Sequence, residues 1–338
     1  MSESYREIVL QRRPVGQPVA EDFAIATRPT PVPAEGEFVV RNLYVSLDPG
    51  IRQRLSQVDS YVALIELGAP LTSTTLGVVT ASNDPGIAVG EHLIGFNTVG
   101  EYSLCRQGPL TRRVDIGATA SPSNHLSILG MTGLTAYFGM LDIGAPKAGE
   151  TVLVSAAAGA VGSIAAQIAK IAGCRVIGIA GGAEKCARLI AEFGMNAAID
   201  YRGKGLKALT AAIREAAPDG IDIYFDNVGG IQLDAALDCL NLGGRVSLCG
   251  LIAQYNLTEA PAPLTNLFKL IAKSARIEGF AVLRYTDRFP EALAALAGWT
   301  NDGRIVFREQ IEDGVDAGID AFLKLFDGRN QGKMMLNM

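Results

Sequence analysis

Between residues 150 and 182 the chain passes from an apolar strand through a small-residue turn into a helix and a second apolar strand, and this stretch restricts the fold most. Residues 151–155 read as the first strand, 156–162 as the turn, the helix closes at Gly173, and 175–180 read as the next strand. Ala157-Ala158-Gly159-Ala160-Val161-Gly162 occupies the positions of a G-x-G-x-x-G fingerprint, with Ala157 in place of the first glycine. At Gly159 the missing side chain lets backbone N–H groups approach a pyrophosphate, and at Gly162 it lets the helix lie close on its strand. The helix then turns its positive dipole end toward the phosphates. Two blander readings compete. An ordinary tight turn has the same texture, and the uncharged run 151–169 is long enough for a membrane span. Small residues in the middle of that run, followed by a further strand, favour the buried unit of a soluble domain.

A chain of 338 residues has room for two domains with separate cores. Its net charge of −5, without a basic face or an acidic tail, argues against nucleic acid and anionic membrane as partners. The first residues, Met1 to Arg6, lack the apolar core of a signal peptide, so a cytoplasmic location is expected. Five cysteines, widely spaced and with no C-x-x-C pair, fit free thiols in a reducing compartment. With two histidines, His92 and His125, neither a structural nor a catalytic metal site is expected.

Residues 1–122 have the texture of a β domain, with short apolar runs such as 38–45 and 76–80 between turns at Asp48-Pro49-Gly50 and Asp84-Pro85-Gly86. A partly open barrel is the expected form. From residue 123 to 299 helix-like spacing alternates with six apolar strands, at 152–155, 175–180, 197–199, 221–225, 245–249 and 276–282. Helical patterns at 184–193, 206–216, 231–240 and 264–273 separate them, and a further helix is expected at 291–299. That alternation specifies a doubly wound parallel α/β sheet. Residues 300–338 are too few for another domain and are expected to return to the first one, with a helix at 316–326.

A dinucleotide fold selects NAD with an acidic residue about 20 positions past the glycine turn, which holds the ribose 2′-hydroxyl. Gly181 and Gly182 stand there instead, and Lys185 follows in the first turn of the next helix. This favours a 2′-phosphate and NADP(H). Glu184 keeps NAD open as the alternative.

The motifs Met131-Thr132-Gly133-Leu134-Thr135-Ala136-Tyr137, Gln167-Ile168-Ala169-Lys170, Asp226-Asn227-Val228-Gly229-Gly230 and Gln254-Tyr255-Asn256, with the glycine turn, resemble those of the zinc-independent medium-chain dehydrogenase/reductases. Leu43-Tyr44-Val45-Ser46-Leu47-Asp48-Pro49 is similar to the same branch, that of the alkenal, prostaglandin and curcumin reductases. The resemblance implies a Rossmann domain beside a GroES-like domain, metal-free NADPH-dependent reduction of the carbon-carbon double bond of an enone or enal, and a homodimer. It further implies that Gly159, Ala160, Val161 and Gly162 hold the pyrophosphate, and Lys185 and Tyr201 the 2′-phosphate. Asn227, Cys249, Gly250, Leu251, Tyr255, Phe280, Ala281 and Val282 would line the ribose and nicotinamide, with Asn330 reaching over from the tail. Gly50 and Ile51 depart from the family, which commonly has an aromatic residue and methionine there, so the substrate pocket is reshaped or enlarged.

Hydride addition at the β carbon of an enone drives negative charge onto its carbonyl oxygen, where one hydrogen-bond donor stabilises the transition state. The α carbon then takes a proton from a phenol or water. Tyr255, just beyond the fifth strand, and Tyr61, in a barrel loop, are the candidate donors; either could equally be a tyrosine that merely packs its ring. A quinone reductase would share the same cofactor residues, and a non-catalytic NADPH-binding protein is the rival from another class.

Overall fold

The computed structural model describes residues 3–56 and 63–338. In chain order the strands and helices are β1 (Ser4–Leu10), β2 (Phe23–Pro29), β3 (Phe38–Ser46), β4 (Thr72–Ser82), β5 (His92–Thr98), β6 (Tyr102–Cys105), β7 (Arg112–Arg113), α1 (Met131–Phe138), β8 (Thr151–Val154), α2 (Ala160–Ile171), β9 (Arg175–Ala180), α3 (Ala183–Ala191), β10 (Ala197–Asp200), α4 (Leu206–Ala216), β11 (Ile221–Asp226), α5 (Gly230–Asp238), β12 (Leu240–Leu248), α6 (Lys269–Ala272), β13 (Arg276–Gly279), α7 (Phe289–Asn301), β14 (Glu309–Asp313), α8 (Gly318–Asp327) and β15 (Lys333–Asn337). They form two compact units, one of residues 1–127 with 309–338 and one of residues 128–308.

In the first unit a seven-stranded mixed sheet runs β14-β15-β3-β4-β5-β7, with β6 also on β3. The β1-β2 ribbon joins it by bridges from Glu7 to Gly100 and Val9 to Pro70. This is the GroES-like β domain. β15 pairs antiparallel with β3, Met335 opposite Ser46. Phe23 and Phe322 meet edge-on at 5.7 Å in a core with Ile8, Leu10, Val45, Leu47 and Leu336. The turn expected at Asp48-Pro49-Gly50 continues as a 3-10 helix over Pro49–Arg54, in which Arg52 and Arg54 are buried. Lys333 is buried too, its Nζ reaching the Leu47 carbonyl at 3.0 Å and Asp48 at 2.5 Å.

The second unit is the doubly wound sheet, parallel throughout in the order β10-β9-β8-β11-β12-β13. Strand alternation divides its core between two faces. Val152, Val154 and Val176 join residues of α1, α2 and α7 on one face, while Leu153, Ile177 and Ile179 join residues of α4 and α5 on the other. All six are fully buried, each contributing about 2 kcal/mol. Connections reverse direction between β8 and β11, the switch point at which doubly wound sheets bind ligands.

Three elements depart from the sequence reading. The helix expected at 264–273 shrinks to α6, because Asp234 captures the backbone N–H groups of Thr265 and Asn266 and holds them in a turn. β12 begins at Leu240, since α5 has already ended at Asp238. β13 stops at Gly279, and a 3-10 helix starts at Val282. The units divide at 127/128 and 308/309, against expected boundaries of 122/123 and 299/300. Ser123, Asn124 and Ser127 all donate to Glu309, which keeps 123–127 with the first unit, whereas Trp299, Ile305 and Phe307 pack into the core of the second.

Candidate functional site

The glycine turn leaves β8 at Ser155 and enters α2 with Gly159 as the residue before its first turn. Ala156 takes φ 46°, a left-handed conformation that L residues enter at a cost of about 1–2 kcal/mol. A side chain on Gly162 would strike the Ala156 carbonyl and stand 3.1 Å from the Ala157 Cα, so helix and strand approach as closely as the fingerprint requires. Ala157 replaces the first glycine without penalty because Gly178 opposite it on β9 has left the space: a methyl there would lie 2.9 Å from the Ala157 Cβ. The N–H groups of Ala160 and Val161, in the first turn of α2, have no carbonyl four residues back within the helix and face outward as an anion cradle.

At the end of β9, Gly182 adopts φ 95° before α3, and Lys185 lies half-buried in the first turn of that helix. The neighbouring strand β10 delivers Tyr201 and Arg202 to the same turn. A methyl on Gly181 would stand 3.1 Å from both the Tyr201 ring and Arg202 Nε, and one on Gly182 3.1 Å from Arg202 Nη1. Asp200 Oδ1 accepts from the Gly182 N–H at 2.9 Å and the Arg202 N–H at 3.0 Å. These two amides, Gly182 first, hold its carboxyl below the usual range. Arg202 escaped the sequence reading. Its signal was the run Asp200-Tyr201-Arg202 closing the third strand.

Beside the switch point, Asp226 ties three strand ends together. Its Oδ1 accepts from Ser155 Oγ at 3.0 Å, Tyr224 Oη at 2.8 Å, Val228 N at 2.9 Å and Gly229 N at 3.0 Å. Its backbone carbonyl takes the N–H groups of Cys249 and Gly250 at 2.8 and 3.0 Å. Asn227 is fixed against Ser155 through both its backbone N–H and its side-chain amide. Burial pushes the Asp226 carboxyl up, and burial together with Asp226 pushes the Cys249 thiol up to about 12, so Cys249 stays protonated. Beyond β12, the chain folds back so that Tyr255 Oη accepts from the Leu251 N–H at 3.4 Å. A methyl on Gly250 would lie 3.3 Å from that hydroxyl and 3.4 Å from the Asn227 carbonyl. Asn227, Gly250, Leu251 and Tyr255 thus share one place at the carboxyl ends of β11 and β12.

The Phe280 ring packs toward Gly139, where an added methyl would fall 2.9 Å from its Cε1. Val282 joins the hydrophobic core, and Ala281 is exposed at the start of the 3-10 helix. Asn330 belongs to the first unit, its N–H donating to the Lys324 carbonyl at 3.3 Å. Tyr61 lies outside the described residues. Among the described residues no group of three or more His, Cys, Asp or Glu is placed to hold a metal ion.

Comparison with known proteins puts this geometry in context. A family model described as the N-terminal domain of oxidoreductase matches residues 6–112, and one described as zinc-binding dehydrogenase matches 160–298. The chain is 43% identical to a putative NADP-dependent oxidoreductase, YfmJ, of Bacillus subtilis, covering 100% of this chain and 99% of the relative. It is 38% identical to the NADPH-dependent curcumin reductase of Escherichia coli (98% and 96% covered) and 39% identical to the NADP(+)-dependent 2-alkenal reductase of Nicotiana tabacum (98% and 97%). The chain belongs to the NADP-dependent medium-chain dehydrogenase/reductases. The solved structure of CurA from Vibrio vulnificus in complex with NADPH matches this medium-chain reductase with a TM-score of 0.92 at 39% identity, over 98% of this chain and 99% of that one.

Proposed function

We propose that this chain reduces the carbon-carbon double bond of an α,β-unsaturated ketone or aldehyde with NADPH. The observation that carries the reading is its full-length likeness to the curcumin and 2-alkenal reductases, at 38% and 39% identity. The close approach of helix to strand at Gly162 and the side-chain-free turn at Gly181-Gly182 fit the fingerprint of a dinucleotide site. NADPH, when bound, supplies the hydride. Gly159, Ala160, Val161 and Gly162 hold the pyrophosphate through backbone N–H groups, and Lys185 and Tyr201 hold the 2′-phosphate. Asn227, Cys249, Gly250, Leu251 and the backbone of 280–282 orient the ring end. The Tyr255 hydroxyl donates a hydrogen bond to the carbonyl oxygen of the substrate as negative charge builds there, with Tyr61 the alternative donor, and a phenol or water delivers the proton to the α carbon. Protonation at the α carbon completes a saturated ketone or aldehyde.

The test is loss of NADPH absorbance against enones, enals and quinones, with product analysis. A saturated carbonyl compound supports the proposal. An allylic alcohol, turnover of quinones alone, or NADPH binding without oxidation of any of them would overturn it.

Two further readings belong with this one. The five cysteines are free thiols, which supports the reducing cytoplasm as its location, and no helix among the described residues is long and apolar enough to cross a membrane. We also propose a homodimer. Among the described residues β13 ends its sheet with one edge unpaired, and Leu267, Phe268, Ile271 and Leu283, before and after it in the chain, are exposed. Two copies of β13 running antiparallel about Ile277 would set Arg276 of each against Glu278 of the other.

A further inference from the structure

The turn that distinguishes NADP from NAD is walled by a side chain that neither composition nor motif had singled out. Arg202 Nε and Nη1 each stand 3.1 Å from where a methyl on Gly181 and on Gly182 would be, so the guanidinium lies along both glycines at once. A carboxylate side chain at either position, the arrangement that selects NAD, would have to displace it. The paired glycines and Arg202 are therefore one device. A guanidinium presents a rigid fork of donors that matches phosphate oxygens bidentately, which the single ammonium of Lys185 does not.

Arg202 reaches this place through the backbone. Asp200 ends β10 opposite Ala180 of β9, and its Oδ1 joins the Gly182 N–H to the Arg202 N–H. The Tyr201 N–H donates to the Ala180 carbonyl at 3.2 Å, and the Lys204 N–H closes the loop on the Tyr201 carbonyl at 3.1 Å. One carboxylate oxygen thus clamps the glycine turn to the loop that carries Tyr201 and Arg202. The negative charge of Asp200 opposes a nearby phosphate, so it is the position of its oxygen that serves binding.

We propose that Arg202 sets the preference for NADPH over NADH by gripping the 2′-phosphate, and that Asp200 is its positioning residue. This rests on the NADPH reading given above. Binding of adenosine 2′,5′-bisphosphate and of 5′-AMP, followed by calorimetry on wild type, Arg202→Ala, Arg202→Lys, Asp200→Asn and Asp200→Ala, tests it together with KM for NADPH and NADH. Arg202→Ala should weaken adenosine 2′,5′-bisphosphate and raise the NADPH KM about 10- to 100-fold, the range for one charge-assisted contact. 5′-AMP and NADH should move less than about twofold, and Arg202→Lys should fall between. Asp200→Asn, which keeps the acceptor oxygen and removes the opposing charge, should bind adenosine 2′,5′-bisphosphate at least as tightly as wild type, while Asp200→Ala should match Arg202→Ala. Equal changes for phosphorylated and unphosphorylated ligands in Arg202→Ala, or none, would overturn the assignment of Arg202. Equal damage from both Asp200 variants would overturn the positional role. Wild type that binds adenosine 2′,5′-bisphosphate no better than 5′-AMP would instead overturn the NADPH reading itself, and this inference with it.

Discussion

Tyr255 shows how a single side chain can be tested apart from its packing. Its hydroxyl accepts from the Leu251 N–H, and a hydrogen bond that it makes to substrate chiefly in the transition state is worth roughly 100-fold or more in kcat. Tyr255→Phe retains the ring, so kcat for an enone should fall by about that factor while the Kd for NADPH, measured by fluorescence, stays near wild type. Unchanged kcat in this variant would hand the donor role to Tyr61 or water. Asp200 makes a prediction about acid. Its folded-state pKa is lowered by the Gly182 and Arg202 amides, so its contribution to stability is present above the unfolded value near 3.9 and is lost as pH falls through the folded value. The Tm of wild type should therefore exceed that of Asp200→Ala most at neutral pH, with the gap closing toward pH 3. Gly159 and Gly162 were legible as residues because their role is local to one turn. Arg202 was not, because it comes beside Gly181 only once β10 lies next to β9, and strand adjacency is not written in the spacing of either segment.

At the scale of elements, the Asp226 junction fixes the carboxyl ends of β8 and β11 through one carboxylate oxygen and that of β12 through its backbone carbonyl. Asn can present an amide oxygen to the same four donors, and burial already disfavours the charged carboxyl. Asp226→Asn leaves its NH2 where Oδ2 is buried without a partner and should cost about 1–3 kcal/mol, whereas Asp226→Ala strands all four buried donors and should cost more, about 3 kcal/mol or above. Urea unfolding measures both, and equal losses would show that the charge, not the acceptor, holds the junction. Apolar runs and helical spacing revealed the six strands of the parallel sheet and most of its helices, since each strand is buried on both faces and each helix on one. The helical spacing overran at 264–273 because the Asp234 side chain, far off in sequence, outcompetes helical hydrogen bonding at Thr265 and Asn266.

For the whole molecule, the unpaired edge of β13 gives the homodimer its test. Glu278→Arg would place four like charges along the paired strands, so sedimentation should report a dimer for wild type and a monomer for the variant. Co-sedimentation of both as dimers would exclude this edge. The division of the chain has another outcome. Residues 128–308 are continuous, but β3 waits for β15, with Met335 the partner of Ser46. On the ribosome the nucleotide-binding unit can therefore close while the Tyr44–Ser46 end of β3, whose Val45 ends fully buried, still lacks one flanking strand. The nascent protein carries that open apolar edge until residues 333–337 emerge, which makes the first unit, although it begins the chain, the last to finish and the one most in need of a chaperone.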